Sequence, residues 1–221
     1  DGDADGRAGG TFNFWFKANT SINPAVVTNT LFVDKAATTD GNGSLATPFR
    51  SISTALAIAK PGQIVRIVAN GGADGNPATL TDNLAYNIGR DLLGRALADG
   101  ETLDVPQAVT LMIDAGAIVK FSGANIDVGS SGQGVDHSHA ALQVLGIPGT
   151  PVQLTAYNDK SIGVDQGQLS TTLAKGDWGG IAFRDDSDYE AQGVFLNTVT
   201  HANIAWGGGL VGAGSTQPVP G

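Results

Sequence analysis

From Val109 onward the chain alternates apolar and polar residues in short bursts: Val109, Leu111 and Ile113, then Leu142 and Val144, Val152 and Leu154, Ile181 and Phe183. Each burst places one apolar side on a segment of about six residues, the period-two signature of a strand with one buried face. Gly, Asn, Asp or Pro separates them, so the stretches QAVTLMIDAGAIVKF, ANIDVG, AALQVLG, PVQLTAY, GGIAFR, GVFLNTV and HANIAW read as successive strands. No helical period recurs after Lys60, which excludes a βαβ sheet. Short strands with one apolar side fit a solenoid whose inner faces stack coil upon coil; an antiparallel sandwich or jelly roll has the same periodicity.

One segment breaks the alternation. Between Leu31 and Asn70 the order is a strand (LFVDKA), a turn (DGNGS), an amphipathic stretch (PFRSISTALAIAK), Pro61-Gly62 and a β-branched strand (QIVRIVAN). The spacing predicts a helix over Pro48 to Lys60, with Thr47 as its cap, Pro48 in the first position, and Ile52, Ala55, Leu56 and Ala59 on one face. A lone helix ahead of many strands is expected to cover the first coil of the stack. GGADGNPATLTDN and GRDLLGRALADG then form a long polar excursion, with LAYNIG as a short strand in a loop projecting from the body.

Composition narrows the function classes. Among 221 residues, 41% are apolar, but no run approaches the roughly 18 residues of a membrane span. The 32 glycines have no three-residue period, so they mark turns rather than collagen. A net charge of -9 with only 12 basic residues argues against a nucleic-acid partner. With no cysteine, disulfides and thiolate chemistry are excluded, and an oxygen-ligated cation, calcium, becomes the metal to consider.

Candidate chemistry is sparse. Asp1, Asp3 and Asp5 recur every second residue before Gly6, a spacing that lets a turn aim three carboxylates at one calcium, although Phe12 stands where an EF-hand needs its bidentate acid. Asp185, Asp186, Asp188 and Glu190 follow Arg184, forming a candidate glycan or calcium surface, but they are bunched in one turn. His137 and His139 share a face if extended, yet they lie in a loop-like stretch and zinc would need a further ligand. A Ser-His-Asp triad lacks the GxSxG elbow, and Gly207, Gly209 and Gly212 match GxGxxG without a following helix. Asn19-Thr20-Ser21 and Asn42-Gly43-Ser44 fit the N-glycosylation pattern. Trp178 and Trp206, each beside glycines, either stack on sugars or pack at coil corners.

The stretches VDKAATTDGNGSLATPFRSISTALAIAKPGQIVRIV, LMIDAGAIVKF, ALQVLGIPGTPVQLTAYNDKSIG and GDWGGIAF, with the GGTFNFWF head, resemble repeats of the giant extracellular proteins of planctomycete-type bacteria. The resemblance spans residues 9 to 209. It implies an all-β, right-handed parallel β-helix closed by one N-terminal helix, secreted or held at the cell surface. On this reading residues 1–30 are a Gly- and Asp-rich head with an aromatic strand, and 31–221 are the first coils of a β-helix that reads as a piece of a longer chain. The expected role is structural, in a fibre or an adhesive, rather than catalytic. Phe12, Phe14 and Phe16 on one side of a strand and Trp15 on the other are the candidate assembly strand, adding to a neighbour's open edge. The alternative is a β-helix that binds or cleaves polysaccharide, using the acids after Arg184.

Overall fold

The computed structural model describes residues 29–131, 135–164 and 172–209, with the backbone of 211–212 and 218–219. The strands are β1 (Thr30–Val33), β2 (Ile64–Ile67), β3 (Tyr86–Gly89), β4 (Leu103–Val105), β5 (Thr110–Asp114), β6 (Ile118–Ser122), β7 (Asn125–Val128), β8 (Ala141–Leu145), β9 (Val152–Ala156), β10 (Gly180–Phe183), β11 (Thr198–Thr200) and β12 (Ala202–Ile204). A small antiparallel pair, β13 (Val211–Gly212) with β14 (Pro218–Val219), follows. The one α-helix among the described residues is α1 (Ile52–Ile58).

Every pairing among β1 to β12 is parallel. They form three sheets, with orders β1-β2-β5-β8-β11, β3-β6-β9-β12 and β4-β7-β10. From β2 onward, consecutive strands therefore visit the first, second and third sheets in turn, and the cycle repeats. The described fold is mostly β and parallel; the missing helical period excludes only a βαβ sheet, and the parallel pairing is what the resemblance implies over an antiparallel sandwich.

Register turns this cycle into columns of like residues. Val33, Ile67, Ile113, Val144 and Val199 align across the first sheet. Tyr86, Val119, Leu154 and Ile204 align in the second, and Val105, Val128 and Phe183 in the third. One cluster contains Ile67, Ile113, Val144, Val119, Leu154, Val105 and Val128, all fully buried. Removing a side chain of this size from water stabilises the fold by roughly 1.5–3 kcal/mol. Close stacking also dictates glycine at Gly89, whose φ is 122° and where a Cβ would lie 2.0 Å from the Ser122 carbonyl oxygen.

The helix forms later than the sequence predicts. Phe49 makes a parallel bridge to Val33, donating its N–H to Phe32 and accepting from Asp34, so residues 48–50 are committed to the sheet edge. Thr47 turns its hydroxyl to Asn42 instead of capping; Ser51 occupies the cap position, its hydroxyl meeting that of Ser53 rather than a backbone N–H of the helix. Ile52, Ala55 and Leu56 are buried as expected, and Ala59 is already extended ahead of Pro61.

The excursion is likewise only half a loop. Residues 90–96 are exposed apart from half-buried Asp91, but β3 is buried at all four positions and lies in the core sheet, followed by β4, which the sequence reading did not separate. LAYNIG thus contributes a strand to the second sheet, paired with β6, and is not part of a projection. GVFLNTV becomes a strand only from Thr198, because Asp188 accepts the N–H groups of Leu196 and Asn197 and holds them in a turn.

Candidate functional site

The front and back of the stack differ in closure. At the front, β1 has its outer edge occupied: Phe32 donates to Gly43 and accepts from Phe49, while Asp34 donates to Phe49. α1 adjoins it, with the Ser53 N–H bonded to the Asp99 carbonyl at 3.0 Å. Beneath lies a polar knot. The Lys35 ammonium pairs with fully buried Asp99, which also accepts the Asn87 N–H; the Tyr86 hydroxyl donates toward the Val33 and Val68 carbonyls and accepts from the Lys35 N–H. Burial raises Asp99 above the usual carboxylate range, opposed by Lys35, and burial raises Tyr86. These residues lie far apart in sequence and carry no local motif.

At the back, β10, β11 and β12 are the end strands of their sheets among the described residues, and together make the back rung. Here the columns end in exposed residues: Phe183 is 45% exposed, Val199 44% and Ile204 51%, whereas their predecessors Val128, Val144 and Leu154 are at 0%. Phe195, on the approach to β11, is 70% exposed. The back rung is an apolar surface bounded by strand edges.

The acids after Arg184 do not act as one cluster. The Arg184 guanidinium forks onto Asp127, at 2.7 and 3.0 Å, and Asp127 is fully buried. Asp104 aligns with Asp127 one strand earlier, so two carboxylates sit on successive rungs with Arg184 beside them. Burial raises Asp104, and Asp127 adds to the effect against a hydrogen bond from Thr102; the bond to Asp127 raises Arg184. Asp186 accepts the Ser130 N–H; burial pushes its carboxyl up, but the Ser130 bonds outweigh that and hold it below the ordinary range. Asp188 is buried and accepts from Glu190, Leu196 and Asn197. Ser130, Phe183, Arg184, Asp185 and Asp186 line a cleft of about 370 Å³, and Glu190 is exposed in a 3-10 turn. The sequence signal for Asp104 and Asp127 was one outward Asp in each of LDV and NIDV, but their pairing rests on register.

The histidines are dispersed. His139 stacks on Tyr189, with ring centroids 4.4 Å apart, and its Nδ1 lies 2.7 Å from the Asp188 carbonyl. His201 meets Thr200, and the His137 N–H is bonded to the Ser130 hydroxyl. Among the described residues no three His, Asp or Glu side chains converge as a metal site. Asp1, Asp3 and Asp5, and Phe12, Phe14, Trp15 and Phe16, lie outside the described residues, as do Asn19-Thr20-Ser21.

The two tryptophans separate. Trp178 is fully buried, stacked on Phe121 at 4.5 Å and 12°, with its Nε1–H donating to the Ala205 carbonyl. Trp206 is 38% exposed, at a left-handed φ of 64°. It lines two clefts, one of about 550 Å³ with Lys175, Gly180 and Ile204, the other of about 340 Å³ with Asn158, Lys160 and Ser161.

No protein-family model, curated protein or solved structure matches the chain. No helix among the described residues is long and apolar enough to cross a membrane.

Proposed function

We propose that the three sheets are the walls of a right-handed parallel β-helix and that the chain is a structural segment of an extracellular or cell-surface bacterial protein, of the kind its sequence resembles. The cyclic visiting order of the strands and the unbroken apolar columns support this reading. The observation that carries it is the contrast along each column: interior positions are dry, and the last position is left to solvent. Such a face gains stability by adding one more strand layer, since strand addition pairs the edge and covers Phe183, Val199 and Ile204 together. In sequence, the alternation of Phe12, Phe14 and Phe16 is what such an edge accepts, which makes this segment of a neighbouring copy the proposed addition.

Light scattering over a concentration series tests the reading. The chain is expected to self-associate as its concentration rises, and Val199→Asp, which puts a charge on the open rung, is expected to keep it monomeric. A parent chain that stays monomeric at several hundred micromolar contradicts the assembly.

A further inference from the structure

We infer that Trp206 and its two flanking lysines form a binding platform for a carboxylate-bearing saccharide, a uronate-type glycan. The inference starts from the contrast between the exposed tryptophan and the buried one. Trp178 has its ring stacked and its N–H bonded, and it explains the GDWGGI corner as packing. Trp206 has no such burial. It follows β12, where continued alternation would carry it inward beside the Ala156 position, but its φ of 64° takes it out of the strand. A non-glycine residue pays for that conformation only where its surroundings hold it, and such residues concentrate at binding sites.

The surroundings supply the ligand's chemistry. Trp206 is the residue common to both clefts, so an indole borders each of them. One cleft is largely apolar, with Ile204 and Gly180, and suits the C–H face of a sugar ring; the other carries Asn158, Asp159 and Ser161, with the Ser161 hydroxyl donating to Asp159, a polar lining that suits hydroxyls. Each cleft has one exposed lysine, Lys175 in the first and Lys160 in the second, and neither forms an ion pair among the described residues. Of the nearby acids, Asp159 itself lines the second cleft and is bonded within it. Asp159 accepts from the Thr155 and Ser161 hydroxyls at 2.7 and 2.5 Å, and Asp177 accepts the Ala174 N–H. Two unpaired ammonium groups beside one aromatic face, in a chain of net charge -9, select a ligand with spaced carboxylates over a dense polyanion such as nucleic acid.

The platform lies on the last rung, so the test uses Val199→Asp, which lines neither cleft, at low micromolar concentration where association cannot cover it. Tryptophan fluorescence is titrated with an oligogalacturonate, a neutral cello-oligosaccharide of the same length, and a single-stranded DNA oligomer. Quenching is expected with the oligogalacturonate alone. It is expected to be lost in Trp206→Ala and weakened at least tenfold, with a flatter salt dependence, in Lys160→Gln/Lys175→Gln, both variants keeping the parent circular dichroism. Absence of oligogalacturonate binding, equal binding of the neutral sugar or of DNA, or retained binding in Trp206→Ala each overturns the inference. Failure of Val199→Asp to alter self-association contradicts the assembly reading instead and leaves the platform standing.

Discussion

The two ends of the stack solve the same problem in opposite ways. A parallel sheet that stops leaves a row of unpaired backbone groups above an apolar interior. At the front the chain folds residues 41–49 along β1, lays α1 nearby and ties Lys35, Tyr86 and Asp99 into a buried knot. At the back Val199 and Ile204 stand half-exposed in columns that are dry one layer earlier. The difference teaches that hydrophobic alternation alone does not define an end. Among the described residues, the front adds a buried ion pair and a covering segment to its edge, whereas the polar contacts near the back leave Phe183, Val199 and Ile204 uncovered.

The largest effect is expected at the front. Lys35→Met leaves the Asp99 carboxylate buried without its ammonium, and urea denaturation is expected to register a loss of about 3–5 kcal/mol. Adding Asp99→Leu should recover much of it, because an apolar pair removes the orphaned charge. Next comes a comparison within one column. Ile113→Ala is expected to cost about 2–5 kcal/mol, whereas Val199→Ala should fall within about 0.5 kcal/mol of the parent; similar losses at both sites would erase the distinction between interior and open rung.

The smallest effect concerns the paired acids on successive rungs. Burial, with Asp127 alongside, raises Asp104, so the folded chain holds that proton to higher pH than the unfolded chain does. Its contribution to stability is therefore fully present below the ordinary carboxylate range and is lost as pH rises through the raised value. Asp104→Asn should match the parent at pH 3 and be more stable at pH 7, as measured by thermal unfolding. A variant that is less stable at pH 7 would show that Asp104 is stabilised as an anion.

Much of the interior was legible from the sequence, because β5 to β10 lie in stretches that alternate over enough residues for the period to appear. What stayed hidden had physical causes. β4 is three residues long and ends at Val105, just before Pro106, too short for a period. LAYNIG looked like part of a projection because the polar stretches GGADGNPATLTDN and GRDLLGRALADG flank it, yet even its Asn87 is buried. The helix start moved because Phe49 is a sheet partner 16 residues from Val33, a pairing that local propensity cannot anticipate. The site was less legible still: Arg184 meets Asp127 across 57 residues, and the excursions make the rungs unequal, so no repeat length announces which residues stack. Asp188, grouped in sequence with a solvated acidic turn, is a buried pin for the chain entering β11. Trp178 and Trp206 were indistinguishable by sequence context, since both border glycines.

Hydrogen–deuterium exchange on the chain at low and high concentration tests the central claim most directly. The account predicts slow exchange across β5, β6, β8 and β9 at any concentration, with β11 and β12 exchanging fast when dilute and slowing as the chain associates. Protection of β11 and β12 equal to that of β5 in dilute, monomeric chain would contradict an open back rung.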